Sequence, residues 1–172
     1  MGLFGRSAQT VGFTREEIAA AYLRGEGLEV GALHLPLKLP AEARARYVDR
    51  MTVEELRRHY PELPDKRACF DRDRVTTSLE HVLKDYREGA EVSRREHYLE
   101  WARDVDKLVE PYFSAQVNGY MEQRYSIHFH NWTPVAFLEL VVFVLQEGLI
   151  AAELVQFCTR EVEMIAVLRR RA

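Results

Sequence analysis

Gly27-Leu28-Glu29-Val30-Gly31-Ala32-Leu33-His34-Leu35-Pro36-Leu37 is the stretch on which the reading of the fold turns. Leu28 to Ala32 is short, apolar and followed by a glycine-containing turn, the pattern of a strand that ends in a tight loop. Gly31 has no side chain to obstruct that turn, so the backbone there can approach a ligand closely. A second strand is predicted over Arg46 to Arg50, with Tyr47 and Val48 preceding the acid Asp49. Near the end, Leu154 to Cys158 and Glu163 to Leu168 flank the polar Thr159-Arg160-Glu161 and read as an antiparallel hairpin. Tyr125 to Trp132 fits either a strand or an extended loop.

Helix starts are marked by four Ser/Thr-x-x-Glu capping boxes: Thr14 with Glu17, Thr52 with Glu55, Thr77 with Glu80, and Ser93 with Glu96. The first opens a helix through Ile18 and Ala21 that Gly25 stops, and the second a short one through Leu56, before Pro61. The third runs through Val82 and Tyr86 to Gly89, and the fourth through Tyr98 and Trp101 to about Val109. A fifth begins at Thr133-Pro134, a cap followed by proline at the first helical position, and ends at Gly148. Strand, short helix, strand, several helices and a hairpin together predict an α/β chain with an antiparallel edge.

The bulk numbers fit one soluble domain: of 172 residues, 47% are hydrophobic and 30% charged, enough apolar surface for a core. A net charge of -3 offers no basic face for nucleic acid, and Arg169-Arg170-Arg171 reads as a solubilising terminus. Cys69 and Cys158 match neither a disulfide framework nor a zinc spacing, which predicts reduced thiols and a cytoplasmic location. The first residues lack a signal-peptide core, Arg6 breaks the myristoylation pattern, and Val135 to Leu145 is too short to span a bilayer.

Gly27 to Leu37 resembles the first motif of class I S-adenosylmethionine-dependent methyltransferases, with Leu33 in place of the pattern's second glycine. Tyr47-Val48-Asp49-Arg50 falls where that family's second strand ends on an acid that binds the ribose hydroxyls. Met51-Thr52-Val53-Glu54-Glu55-Leu56-Arg57-Arg58-His59-Tyr60-Pro61-Glu62-Leu63 is similar to a bacterial group of such proteins associated with polysaccharide and glycosyl-transfer genes. So are Pro64-Asp65-Lys66-Arg67, Phe70-Asp71-Arg72-Asp73-Arg74, Glu80-His81 and Tyr125-Ser126-Ile127-His128-Phe129-His130-Asn131-Trp132-Thr133-Pro134. By their chemistry alone, Glu29-x-Gly31-x-Leu33 also suits an ordinary strand end, and Asp49 a plain helix cap.

The resemblance implies a single truncated Rossmann-like domain over 1–172, with halves 1–63 and 64–172. Leu63 runs directly into Pro64, where the family pattern would continue through strands three, four and five. What remains implies a small sheet of strands equivalent to 2-1-7-6, with helices and a C-terminal antiparallel hairpin. Exposed edges in such a sheet favour a homodimer. The implied cofactor is S-adenosylmethionine, held by Glu29, Gly31, His34 and Asp49, with His128 or His130 facing a small or sugar-like methyl acceptor. The adenine-binding part is missing, so the rival expectation is a non-catalytic binding or assembly module, natural or a minimal-fold form.

The histidines allow a further reading. In an extended segment His128-x-His130 points both rings to one face, and His34 or Asp71 and Asp73 can complete a metal site. Substrate orientation, general-base work near neutral pH, or plain hydrogen bonding within the fold are the alternatives. His81 and Asp85, four apart on one helix face, read as a surface pair, and His97 with Trp101 as a packing pair. No metal ligand set follows from local spacing.

Overall fold

In the computed structural model, which describes residues 14–30, 36–48, 70–160 and 163–171, the chain divides into two units, Met1–Pro64 and Asp65–Ala172. The first unit begins with the capping box that the spacing predicts. Thr14 Oγ1 accepts from the Glu17 backbone N–H at 3.1 Å, and Glu17 Oε2 accepts from that of Thr14 at 2.7 Å. Helix α1 (Arg15–Tyr22) follows, burying Ile18 and Ala19. Gly25, at φ +71°, then turns the chain into β1 (Gly25–Val30).

Strand β1 pairs in parallel with β2 (Ala43–Val48), in register from Gly25 opposite Ala43 to Val30 opposite Val48. Parallel neighbours cannot be joined by a hairpin and need a crossover of about a dozen residues, a length that 31–42 provides. Both strands start earlier than expected, because pairing recruits Gly25 to Gly27 and Ala43 to Ala45 through their backbones. Gly31, Ala32, His34, Asp49 and Arg50 lie outside the described residues, as do Cys69 and the predicted Thr52 helix.

The second unit opens with a 3-10 turn, Phe70–Asp73, and helix α2 (Leu79–Glu88). The cap of α2 is Ser78, whose Oγ accepts from the His81 N–H at 3.2 Å, rather than the predicted Thr77. Thr77 is used elsewhere: its hydroxyl accepts from the Asn131 N–H at 3.0 Å while its own N–H donates to the Asn131 carbonyl at 2.9 Å. A hydroxyl that pins a distant segment is not available to a helix end. Gly89, at φ +91°, ends α2, and a tight turn leads into α3 (Arg94–Asp104). Ser93 stands at the start of α3 but makes no capping bond; it is buried instead.

Helix α4 (Tyr112–Gln123) is absent from the sequence expectation because it starts behind Pro111 without a capping side chain. It supplies Val117 and Tyr120 to the core, which they form with Tyr98, Trp101 and Ala102 of α3 and with Ile127. Buried hydroxyls are satisfied: Tyr98 donates to the Tyr125 carbonyl and Tyr120 to Asp106, each at 2.6 Å. Tyr125 to Trp132 is an extended loop rather than a strand. Helix α5 (Pro134–Gln146) starts at the Thr133 cap as expected, and Gly148 at φ +66° follows its end. It packs on β3 (Ala152–Arg160), with Phe137 and Phe157 ring centroids 6.3 Å apart.

Strand β3 pairs antiparallel with β4 (Glu163–Arg170), the hairpin the alternation predicts, longer at both ends. The fold is thus mixed α/β with two two-stranded sheets, β1–β2 and β3–β4. The expected four-stranded 2-1-7-6 sheet is not formed among the described residues, where β1 pairs with β2 and β3 with β4 in separate sheets. Among the described residues no helix is long and apolar enough to cross a membrane.

Candidate metal centre

Three elements of the second unit bring four titratable side chains together. His81 and Asp85 lie one turn apart on α2, where i and i+4 residues share a face. The turn at Gly89 sends the chain back, so that His97, in the first turns of α3, meets them. His130 comes from the extended loop before α5. The ligand atoms of all four lie within 4.8 Å of one another.

Asp85 Oδ2 is the hub. It stands 3.2 Å from Nε2 of His130, 3.5 Å from Nε2 of His81 and 3.7 Å from Nε2 of His97. The Nε2 atoms of His81 and His97 are themselves 3.1 Å apart. Asp85 Oδ1 is buried and has no hydrogen-bond partner. Aromatic rings wall the cluster: Phe129 stands edge-on to His97 at 5.7 Å, and Trp132 stacks on His130 at 5.7 Å.

The electrostatics of His97 and Asp85 favour their deprotonated forms. Burial pushes His97 below the usual imidazole range, helped by the neighbouring His130 and His81 and only partly opposed by Asp85 and Glu100. For Asp85, burial acts to raise the carboxyl, but Ser93, His130 and the charge of the imidazoles outweigh it and hold it below its ordinary value. A neutral imidazole and an ionised carboxylate are the forms that bind metal.

A buried arginine builds the frame. The Arg74 guanidinium donates through Nη1 to Asp71 Oδ1 and to the His128 carbonyl, both at 2.6 Å. Through Nη2 it reaches Glu100 Oε2 at 3.2 Å and the Phe129 carbonyl at 3.3 Å, and through Nε Glu100 Oε1 at 3.4 Å. Two consecutive carbonyls on one guanidinium are incompatible with a regular strand, whose successive carbonyls point to opposite edges. That clamp fixes the backbone immediately before His130. Glu100 in turn brings Oε2 to 4.0 Å from Nδ1 of His97, on the far side of the ring from the cluster. Burial alone would lower the Arg74 basicity, but Glu100 and Asp71 raise it above the ordinary value.

The two rings of His128-x-His130 do not converge on one site. His128 is half-exposed and its Nδ1 contacts Asp71 Oδ2 at 2.7 Å, whereas His130 joins the cluster on Asp85. Asp71 is held below the usual carboxylate range, burial being outweighed by His128 and Arg74, and Asp73 pairs with Lys107 at 2.8 Å. His81 and Asp85 are no surface pair, since Asp85 is buried. His97 turns its ring toward His81, Phe129 and His130, while the Trp101 ring lies against His128 and Arg74. Glu29 is occupied within its own unit, accepting from the Leu37 N–H at 3.1 Å and from Arg15 at 3.2 Å.

The missed signal was His81-x-x-x-Asp85, two ligand types on one helix face followed by a turn and another histidine. Arg74 and Glu100 carried no local signal. Compared with known proteins, the chain matches no family model, no curated protein and no solved structure.

Proposed function

We propose that this chain is a metal-binding protein whose second unit carries a mononuclear centre of His81, His97, His130 and Asp85 for a divalent transition metal. One observation carries the reading: the four donors approach the spacing that a single ion imposes. With metal–ligand bonds of about 2.0–2.1 Å, the corners of a tetrahedron lie about 3.4 Å apart. Of the six donor–donor separations, four run from 3.1 to 3.7 Å and all lie within 4.8 Å. Imidazole with one carboxylate suits zinc first, with nickel, cobalt and ferrous iron as alternatives.

The test is zinc titration of chelator-stripped full-length protein, read by calorimetry and by metal content after dialysis. The expected result is one zinc per chain, and at about 100 times Kd a stabilisation of about 2.7 kcal/mol. His130→Ala and His97→Ala should each remove most of the affinity. Substoichiometric metal with no stabilisation would reject the reading.

A second reading is favoured by the parallel β1–β2 pair and its short crossover. In it the first unit is the remnant of an S-adenosylmethionine half-site, with Glu29, Gly31, His34 and Asp49 toward the cofactor. The chain then works either as a methyltransferase on a small or sugar-like acceptor or as a non-catalytic assembly module, in a cytoplasmic homodimer. Cofactor calorimetry with Asp49→Ala, together with sedimentation, tests it.

A further inference from the structure

The four donors are not equally enclosed. The side chains of His97 and Asp85 are each 7% exposed, whereas His81 is 27% exposed and His130 24%. An ion held here is therefore walled by His97 and Asp85 and reached from the side of His81 and His130. His81 also lines a surface groove of ≈ 480 Å³ with Ser78, Glu80, Lys84, Arg87 and Glu88.

A second observation points to what occupies that side. Asp85 Oδ2 faces the three imidazoles, while Oδ1 is buried and without a hydrogen-bond partner. An unpartnered buried acceptor costs about 1–3 kcal/mol, so such groups are normally matched by a donor. A carboxylate that binds a metal through one oxygen holds its other oxygen beside the same ion. A water or hydroxylated ligand on the ion can donate to it there.

From these two features we infer that the centre keeps a coordination position for an exchangeable oxygen ligand. Water holds it at rest and a small anion, a carboxylate or phosphate, replaces it. Entry is past His81 and His130, and Asp85 Oδ1 accepts from the bound O–H. The inference rests on the metal-binding reading and adds that the centre is open. The four protein donors already supply a tetrahedron, so the exchangeable oxygen is a fifth ligand, a number that catalytic zinc reaches by expansion; the absence of cysteine among the donors sets the centre apart from cysteine-rich structural sites. The groove carries Lys84 and Arg87 beside Glu80 and Glu88, so its charge gives no net pull, and selection of an anion falls to the ion itself.

The experiment loads the full chain with cobalt(II), one per chain, and follows the visible bands and solvent-proton relaxation while sodium azide, then acetate and inorganic phosphate, are added. Cobalt content is checked by dialysis at each step. The expected result is relaxation enhancement from a coordinated water, lost on azide addition, with band shifts saturating at one azide per cobalt. Cobalt that binds stoichiometrically yet shows neither effect overturns the open position and leaves the metal-binding reading standing. Failure to bind cobalt, zinc or nickel overturns both.

Discussion

Replacing Arg74 by lysine should damage the fold and the metal centre together, by separable amounts. The guanidinium is fully enclosed and makes five hydrogen bonds, to two carboxylates and two carbonyls. An ammonium keeps the charge but has three donors on one atom and cannot span Asp71, Glu100 and the His128 and Phe129 carbonyls at once. Losing one partner of a buried ion pair outright costs about 3–5 kcal/mol. Asp71 and Glu100 retain some solvent access, at 14% and 19%, and lysine keeps a charge, so the lower half of that range applies. For the centre, loss of outer groups that orient metal ligands costs about 10–100-fold in affinity. Arg74 acts on two of the four ligands, on His130 through the preceding backbone and on His97 through Glu100. The assays are urea unfolding of metal-free protein and zinc competition against a chromophoric chelator. A variant that is destabilised yet binds zinc within twofold of the parent refutes the clamp, because a purely structural arginine would give that result.

Other consequences follow from the same geometry. Metal-free protein should lose stability as pH falls below about 6.5. His97 has its folded value below 6.5, so between the two values the unfolded chain binds more protons and stability rises with pH. Urea midpoints that stay flat from pH 7.5 to 4.5 would contradict the His97 effect, and Asp85 adds a further loss near and below 3.8, as pH falls through its lowered folded value. Tyr120 is pushed up to about 12 by burial and by its hydrogen bond to Asp106, so its contribution should hold below pH 10 and fade between 10 and 12. Tyr120→Phe should cost about 1–2 kcal/mol at neutral pH, measured by denaturation, and remove that alkaline component. At the start of α2, Ser78→Ala should cost about 1 kcal/mol as a lost cap, whereas Thr77→Val should loosen the loop bearing His130 and weaken zinc binding more than it weakens the helix.

Much of the architecture was legible because it is encoded locally. The Thr14 box, the Thr133-Pro134 start and the glycine stops at 89 and 148 each act within a few residues, and each stands where spacing puts it. Strand ends were less legible, since Gly25 and Glu26 join β1 and Arg44 joins β2 through their backbones and no side-chain pattern announces that. Helix α4 was missed because its stability comes from burying Val117 and Tyr120 against α3, a tertiary effect with no cap to mark it. The centre was half legible. His130 stood out, but its true partners come from 33 to 49 residues earlier, and only the turn at Gly89 and the Arg74 clamp bring them within reach.

With all three imidazoles neutral the four groups cannot satisfy one another, and a bound cation is what would complete them. A neutral imidazole has a single N–H. With Nε2 atoms 3.1 Å apart, one of His81 and His97 must present a lone pair to the other's N–H. The ring that accepts has nothing left on that side to offer Asp85, and the ring that donates has spent its one proton. Of the three imidazoles His130 alone then donates to the carboxylate, whose Oδ1 has no partner in hydrogen-bond geometry although Ser93 lies beside it. Adding a proton to His97 would supply a further N–H, but burial and its two imidazole neighbours oppose that charge. A single divalent ion resolves the conflict, because it takes a lone pair from each Nε2 and from Oδ2 together and needs no proton at any of them. Its charge also offsets the buried carboxylate. The Nδ1 side of His97 faces Glu100, so a proton placed there is electrostatically favoured while Nε2 remains open for the metal. Arg74, by fixing Glu100 and the backbone before His130 with one planar group, stabilises the one arrangement in which all four lone pairs converge.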